Sequence, residues 1–279
     1  MARSWRLLDS APPRVYAFRG QPRGVVIIST HVDLWNLAGA RALVTGAAVR
    51  LGRESALALA RAGADVVLHY RNSKSEAEAT AMEIEGLGRR AWLVQGALDD
   101  GESARRVFDA ACSTVGPLDI LVNNASVFPN DELRDFSEAD AHAVLDANAF
   151  APLALMRAFH AQDREGVIVN LLDATIRSYD RSHFSYHLSK RLLHTITRAA
   201  ALEFAPRVRV NAVAPGAVLP PPDKDAAYLA QRGEQNPLRA YGDAGHVAEA
   251  VLFLVRSTFI TGQVVHVDGG QHLTGCVYD

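Results

Sequence analysis

Cysteine is nearly absent. Cys112 and Cys276 are the two in 279 residues and form no CxxC pair, which excludes a disulfide framework and a cysteine-built zinc site and fits a reducing, cytoplasmic home. No apolar run approaches the roughly 18 residues that span a bilayer; the longest are pieces such as Val25-Val26-Ile27-Ile28, so no membrane partner is expected. Excess charge is missing too: 29 Lys and Arg against 31 Asp and Glu leave a net −2, which gives nucleic acid no electrostatic foothold. Hydrophobic residues at 49% and charged residues at 22% are ordinary globular usage. The length fits one large α/β domain. These exclusions leave a soluble protein with a small-molecule task.

Residues 1–35 are set apart from the fold. They carry Arg3, Arg6, Arg14, Arg19 and Arg23 against Asp9 and Asp33, and Pro12-Pro13 breaks any helix. Asp9, Pro12, Pro13 and Arg14 interrupt the apolar stretch that a secretory signal requires. A poorly ordered extension is the expected reading, with a translated upstream leader or an organelle transit peptide as alternatives. The folded domain is expected at 36–279.

From residue 36 onward, short β-branched runs alternate with longer stretches of helical period, the pattern of βαβ units. Strands are expected at 42–45, 65–69, 91–94, 120–123, 167–171, 208–212 and 264–267, and helices near 51–62, 75–87, 102–114, 138–159, 186–204 and 244–255. This order predicts an α/β fold: a doubly wound, parallel seven-stranded sheet of Rossmann type in a single domain, because right-handed crossovers cover both faces.

Thr45-Gly46-Ala47-Ala48-Val49-Arg50-Leu51-Gly52 closes the first strand and opens the first helix, where a phosphate-binding turn belongs. Small residues there let backbone N–H groups and the helix N-terminus approach a pyrophosphate. The second strand ends in His69-Tyr70-Arg71-Asn72-Ser73, without the acidic residue that would accept from the ribose of NAD. Arg71 and Ser73 instead offer a cation and a hydroxyl to the 2′-phosphate, which reads as NADPH.

Tyr186-His187-Leu188-Ser189-Lys190 puts a phenol and an ammonium four apart on one helix face. A neighbouring ammonium stabilises phenolate and is expected to lower the phenol's pKa, fitting Tyr186 to exchange a proton near neutrality. His183, His187 and His194 fall at roughly helical spacing, but no carboxylate cluster accompanies them and no metal is expected.

Asn123-Asn124-Ala125 after the fourth strand, Asn148 in the next helix, Tyr186 with Lys190, Pro215-Gly216 after the sixth strand and Val267-Asp268-Gly269-Gly270 after the seventh together resemble the short-chain dehydrogenase/reductase family over roughly 37–273. The resemblance implies that Asn123 borders the cofactor, that Asn148 holds a water leading to Lys190, and that Lys190 binds the nicotinamide ribose. Cofactor contacts are implied for Gly46, Arg50, Leu51, Gly52, His69, Tyr70, Arg71, Ser73, Asn123, Ala125, Ser126, Tyr186, Lys190, Pro215 and Gly216.

Three departures narrow the resemblance. Arg50 and Ser126 stand where the family usually has glycine, and Asp173 stands where it has the catalytic serine. With Asn-Asn-Ala-Ser-x-Phe, these are similar to the pteridine reductase branch. That branch implies Arg50 near the phosphates and the pterin, Phe128 stacked on the pterin, and Asp173 bonded to Tyr186, with Ser126 also at the substrate.

An aromatic platform suits a flat heterocycle. A carboxyl beside Tyr186 could join the relay as an acid where a serine hydroxyl could only hydrogen-bond. The expected activity is NADPH-dependent reduction of a pterin, dihydropterin or dihydrofolate, with Asp173, Tyr186, Lys190 and Asn148 as the catalytic set. A homotetramer built partly from the Tyr186 helix, with the tail from Gln271 reaching a neighbour, is implied by the family.

After the third strand, Ala97 stands where the family commonly has an acidic adenine contact; either Asp99 substitutes from a shifted loop or the adenine contact is weaker. Pro220-Pro221-Pro222 reads as stiffening a loop over the substrate or as a plain surface turn. The rival activities are a general carbonyl reductase, acting on a 3-oxoacyl thioester, sugar or steroid ketone, and a non-catalytic NADPH-binding regulator.

Overall fold

Seven short runs rich in Val, Ile and Leu build one parallel sheet: β1 (Arg41–Val44), β2 (Asp65–Tyr70), β3 (Ala91–Gln95), β4 (Ile120–Asn123), β5 (Gly166–Leu171), β6 (Val208–Pro215) and β7 (Val264–Val267). The computed structural model describes residues 36–177, 182–220 and 225–274; the expected extension at 1–35, Pro221, Pro222 and Cys276 lie outside the described residues. The strands stand in the order β3-β2-β1-β4-β5-β6-β7, each pair parallel. The chain reverses direction across the sheet between β1 and β4, which opens a crevice at their C-terminal ends.

Alternation along the strands feeds two cores. Leu43, Val67, Leu121, Ile168 and Val210 face one side with Phe108 of α3 (Gly101–Val115), Leu155 and Phe159 of α5 (Ala151–His160) and Leu193 of α6 (Phe184–Glu203). Val44, Val66, Leu68, Val122 and Val169 face the other with Leu57 of α1 (Arg50–Arg61), Ile84 of α2 (Lys74–Gly86) and Val251 of α8 (Ala244–Arg256). Both faces are therefore dry, as a parallel sheet requires.

The expected helix at 138–159 is not continuous. It divides into α4 (Glu138–Leu145) and α5, joined by one π-helical turn, Asp146–Phe150. The wider turn carries Asn148, fully buried, whose Oδ1 accepts from the Val127 N–H at 2.8 Å while Nδ2 donates to the Val127 carbonyl at 2.9 Å and to Ser189 Oγ at 3.0 Å. Three hydrogen bonds offset the poorer helical geometry and tie the β4–α4 loop to α6. Three elements escape the periodicity: a 3₁₀ turn at Ala174–Arg177, α7 (Ala226–Glu234) and α9 (Gln271–Thr274). Helix α6 is capped at long range, since the Asp131 carboxylate accepts from Ser185 N–H at 3.2 Å.

Candidate active site

The C-terminal ends of β1 to β4 line a cleft of about 370 Å³, bordered by Gly46, Arg50, Leu51, His69, Arg71, Asp99, Asn124, Ala125, Ser126 and Val127. Its floor is the first turn, held to β4 by side chains. Thr45 Oγ1 accepts from the N–H groups of Asn124 and Ala125, and Asn124 Nδ2 donates to the carbonyls of Thr45 and Gly46. Gly46 sits at φ +62°, and a Cβ on Gly52 would come within 2.2 Å of the Gly46 carbonyl oxygen, so α1 reaches the turn only through glycine. No side chain caps α1 and no acidic residue lies in its first turn. Its leading N–H groups are thus suited to a phosphate, and the arrangement fits a dinucleotide.

His69 braces the turn. Its Nδ1 accepts from the Gly46 N–H at 3.2 Å, which requires the neutral ring with its proton on Nε2, 3.1 Å from the Gly96 carbonyl. Burial pulls this imidazole down from 6.5 to about 4, against the opposing bond to Gly96. Between about 4 and 6.5 the unfolded chain therefore binds the extra proton. Stability present above 6.5 is lost as pH falls through about 4, by about 3 kcal/mol at 1.36 kcal/mol per unit. Thermal midpoints measured across this window should fall in the wild type and fall less in His69→Gln; parallel slopes would remove His69 from the brace.

Arg50 is the first residue of α1 and holds φ +57°, the left-handed region that explains why glycine is expected there. The guanidinium crosses the cleft mouth and donates to the Pro220 carbonyl at 2.9 Å. Glycine at this position would relieve about 1–2 kcal/mol of strain and lose about 0.4–1 kcal/mol through unfolded-chain entropy. Arg50→Gly should accordingly fold with nearly unchanged thermal midpoint, yet bind dinucleotide and substrate about 10-fold or more weakly for want of one charge-assisted bond. Unchanged binding by calorimetry would reduce Arg50 to a surface strut.

Arg71 pairs with Asp99 at 3.2 Å beside the cleft, both side chains more than half exposed. Asp99 thus lines the cleft with its carboxylate bonded to the Arg71 guanidinium. Ser73 stands half-buried at the start of α2 without capping it. Tyr70 does not line the cleft: its ring is buried against Ala48 and Ala77. Asn123 also turns away, donating to Asn170 Oδ1 at 2.8 Å inside the core. Gly216 closes β6 against Asp268, where a Cβ would come within 2.6 Å, and Pro215 pairs with Val267.

The catalytic candidates converge on one another, though none of Asp173, Tyr186 and Lys190 is among the residues lining the cleft. Tyr186 Oη donates to Asp173 Oδ2 at 3.0 Å, and Lys190 Nζ, 5.5 Å from the Tyr186 ring centre, donates to the Leu171 carbonyl at 2.9 Å. Burial, reinforced by the charge of Asp173 and the bond to it, pushes the Tyr186 phenol well above its ordinary value. The expectation of a lowered phenol is therefore corrected: the carboxyl is in contact, while the ammonium is farther off and held by a carbonyl. Burial pulls Lys190 down from 10.5 to about 8, opposed by Asp173.

Phe128 meets the Tyr186 ring edge-on at 4.5 Å, and His183 stacks on Phe128 at 3.9 Å. The expected platform thus has one face already covered. His183 is itself at φ +61°, with Nδ1 donating to the Pro129 carbonyl at 2.6 Å. Beyond Phe128 lies a cavity of about 730 Å³ lined by Pro129, Asn130, Phe136, Asp140 and Val144.

A family model described as enoyl-(acyl carrier protein) reductase matches residues 46–272. The chain belongs to the short-chain dehydrogenase/reductase family. The 3-oxoacyl-[acyl-carrier-protein] reductase FabG of Staphylococcus epidermidis is 32% identical over 240 residues, covering 83% of this chain and 98% of the relative. Among solved structures, FolM alternative dihydrofolate reductase 1 from Brucella canis, complexed with NADP, has a TM-score of 0.81 at 32% identity, covering 87% of this chain and 96% of that one. A short-chain dehydrogenase from Burkholderia cenocepacia J2315 in complex with NADP gives 0.79 at 34%, covering 85% and 99%.

Within this short-chain dehydrogenase/reductase frame, several working residues escaped the sequence reading. Asn124, beside the expected Asn123, is the one that holds the glycine turn. Asn148, expected in the catalytic set, is fully buried with its amide on Val127 and Ser189. Among the described residues, no three His, Cys, Asp or Glu side chains are grouped to hold a metal ion.

Proposed function

We propose that this short-chain dehydrogenase/reductase reduces a pterin, dihydropterin or dihydrofolate ring with NADPH. The observation that carries the reading is the Tyr186 hydroxyl resting on a carboxyl, Asp173, rather than on a serine. A ring nitrogen must gain a proton as its neighbouring carbon is reduced, and an acid paired with a carboxyl can be coupled to a further proton source. The bound nicotinamide supplies the hydride.

The chain's own residues do the rest. Tyr186 holds the proton at Oη, and Phe128, 52% exposed, offers an aromatic edge and rim against which a flat ring can lie. Arg50 and Ser126 both line the cleft. The N-terminus of α1 would hold the pyrophosphate, Arg71 the 2′-phosphate, and Lys190, with one of its three donors on Leu171, the ribose hydroxyls. Positioning and a preorganised acid would supply most of the rate.

The cofactor preference is tested by Arg71→Ala. Losing a charge-assisted bond should raise the KM for NADPH about 10-fold or more while NADH changes little; equal changes would take Arg71 out of the phosphate site. A homotetramer in the cytoplasm is also proposed, with the exposed Phe150, Leu188, Phe253 and Phe259 available to cover. Light scattering should then give four times the 30.1 kDa chain.

The kinship with FabG supports one competing reading, a 3-oxoacyl thioester reductase. A panel separates them: NADPH oxidation with 7,8-dihydropterins but not with acetoacetyl thioesters supports pterin reduction, and the reverse result overturns it.

A further inference from the structure

Tyr186 poses an electrostatic problem that the catalytic set does not solve. Once its proton leaves, a phenolate faces a carboxylate at 3.0 Å, and like charges at that distance oppose each other strongly. The far oxygen of the same carboxyl is not idle. Asp173 Oδ1 accepts from the Thr175 N–H at 2.8 Å and lies 2.5 Å from Thr175 Oγ1, which lies 2.9 Å from His187 Nδ1. Four side chains therefore form one continuous chain, His187–Thr175–Asp173–Tyr186, across the start of α6 and the 3₁₀ turn after β5.

The hydroxyl in the middle limits its proton arrangements to two. With Asp173 ionised, Thr175 donates to Oδ1 and accepts from a protonated His187 Nδ1. With Asp173 neutral, a proton on Oδ1 points to Thr175 Oγ1, whose own proton points to the Nδ1 lone pair. The two differ by protons moved along existing hydrogen bonds.

We propose that Thr175 and His187 are a proton relay to Asp173, timed to the departure of the Tyr186 proton. His187 in its imidazolium form passes the Nδ1 proton to Thr175 Oγ1, and the Thr175 proton passes to Asp173 Oδ1. Asp173 becomes neutral as Tyr186 gives its proton to the substrate. The charges run from His187 +1, Asp173 −1 and Tyr186 0 to 0, 0 and −1, and the proton gained by the substrate is the one lost by Tyr186. No like-charge pair is formed. Among the described residues, the other charged or titratable groups facing the chain are Lys190, one turn along α6, and Arg191, whose guanidinium donates to the Ile176 carbonyl at 3.0 Å. Thr175 and His187 reach Tyr186 only through the Asp173 carboxyl, so both are positioning residues acting through Asp173.

The relay rests on the proton-donor reading of Tyr186, not on the identity of the substrate, so its test is separable. Nitrogen NMR of the full chain, with NADP present, reads the His187 imidazole directly. The wild type should show Nδ1 protonated and hydrogen-bonded, with a nitrogen resonance that moves in Asp173→Asn and in Thr175→Val but not in Thr175→Ser.

Kinetics with whichever pterin or ketone the protein turns over give the second reading. Thr175→Val should lower kcat about 10-fold or more with KM nearly constant, in line with a lost acid–base contribution, and Thr175→Ser should restore it. His187→Asn keeps a donor for Thr175 but cannot release its proton, so kcat should stay low and its pH profile should differ in shape from the wild type's. An Nδ1 without a proton, a resonance unmoved by Asp173→Asn and Thr175→Val, or a wild-type pH profile in His187→Asn overturns the relay. A protein that reduces ketones but no pterin overturns the substrate reading and leaves the relay to these measurements.

Discussion

Tyr186→Phe should fold and bind as the wild type does while losing nearly all turnover, a fall of about 10²–10⁴-fold in kcat. The phenyl ring keeps its place against Phe128, 4.5 Å away. Only the proton at Oη is gone, and Asp173 keeps both bonds from Thr175. Because burial and Asp173 hold the phenol well above its ordinary value, the wild type retains that proton across the working range. The Lys190 ammonium is lost above about 8, so rates should fall there as well.

Stability runs the opposite way. The folded value of Lys190 lies below the unfolded 10.5, so from about 8 to 10.5 the unfolded chain holds the extra proton and stability from this group rises with pH. Kinetics and thermal melts over the same pH series check both slopes. Appreciable turnover by Tyr186→Phe would exclude Tyr186 as the donor.

Asp173→Ser restores the residue the wider family carries and should separate two chemistries. Pterin reduction should fall by about 10²-fold, because the serine hydroxyl can bond Tyr186 but cannot take a proton from Thr175. Ketone reduction, which makes an alkoxide strong enough to draw the phenol's proton unaided, should be kept or gained. The pH profile for pterin should change shape as well. Pterin kinetics that match the wild type would remove Asp173 from the mechanism.

Much of the fold was legible because each strand carries its own signal: β-branched runs bounded by turn residues, with partners set by right-handed crossovers. The π turn at Asp146–Phe150 was not, since residues 138–159 keep an apolar face throughout and one extra residue is invisible to periodicity. Tyr70 could have been placed from the strand's period of two. His69 and Arg71 both border the cleft, so the residue between them faces the other way.

The site divides along the same line. Tyr186 and Lys190 announce themselves by helical spacing, and Asp173 by standing where the family has serine. Arg50 is legible as a departure from glycine, but its cost and its reach to Pro220 depend on φ and on a contact 170 residues away. The roles of His69, Asn124, Thr175 and His187 depend on hydrogen bonds between separate elements, and no local pattern marks which of many polar residues will meet. The covered face of Phe128 has the same origin, since His183 lies 55 positions along the chain and returns through the start of α6.

The most direct measurement is the fate of the hydride. Purified protein is given NADPH carrying deuterium at the transferable position, with a 7,8-dihydropterin and an acetoacetyl thioester together, and both products are weighed by mass spectrometry. Pterin reduction predicts one deuterium on a ring carbon of the tetrahydropterin and an unlabelled thioester. Label in the 3-hydroxyacyl product, with the pterin unchanged, would contradict it.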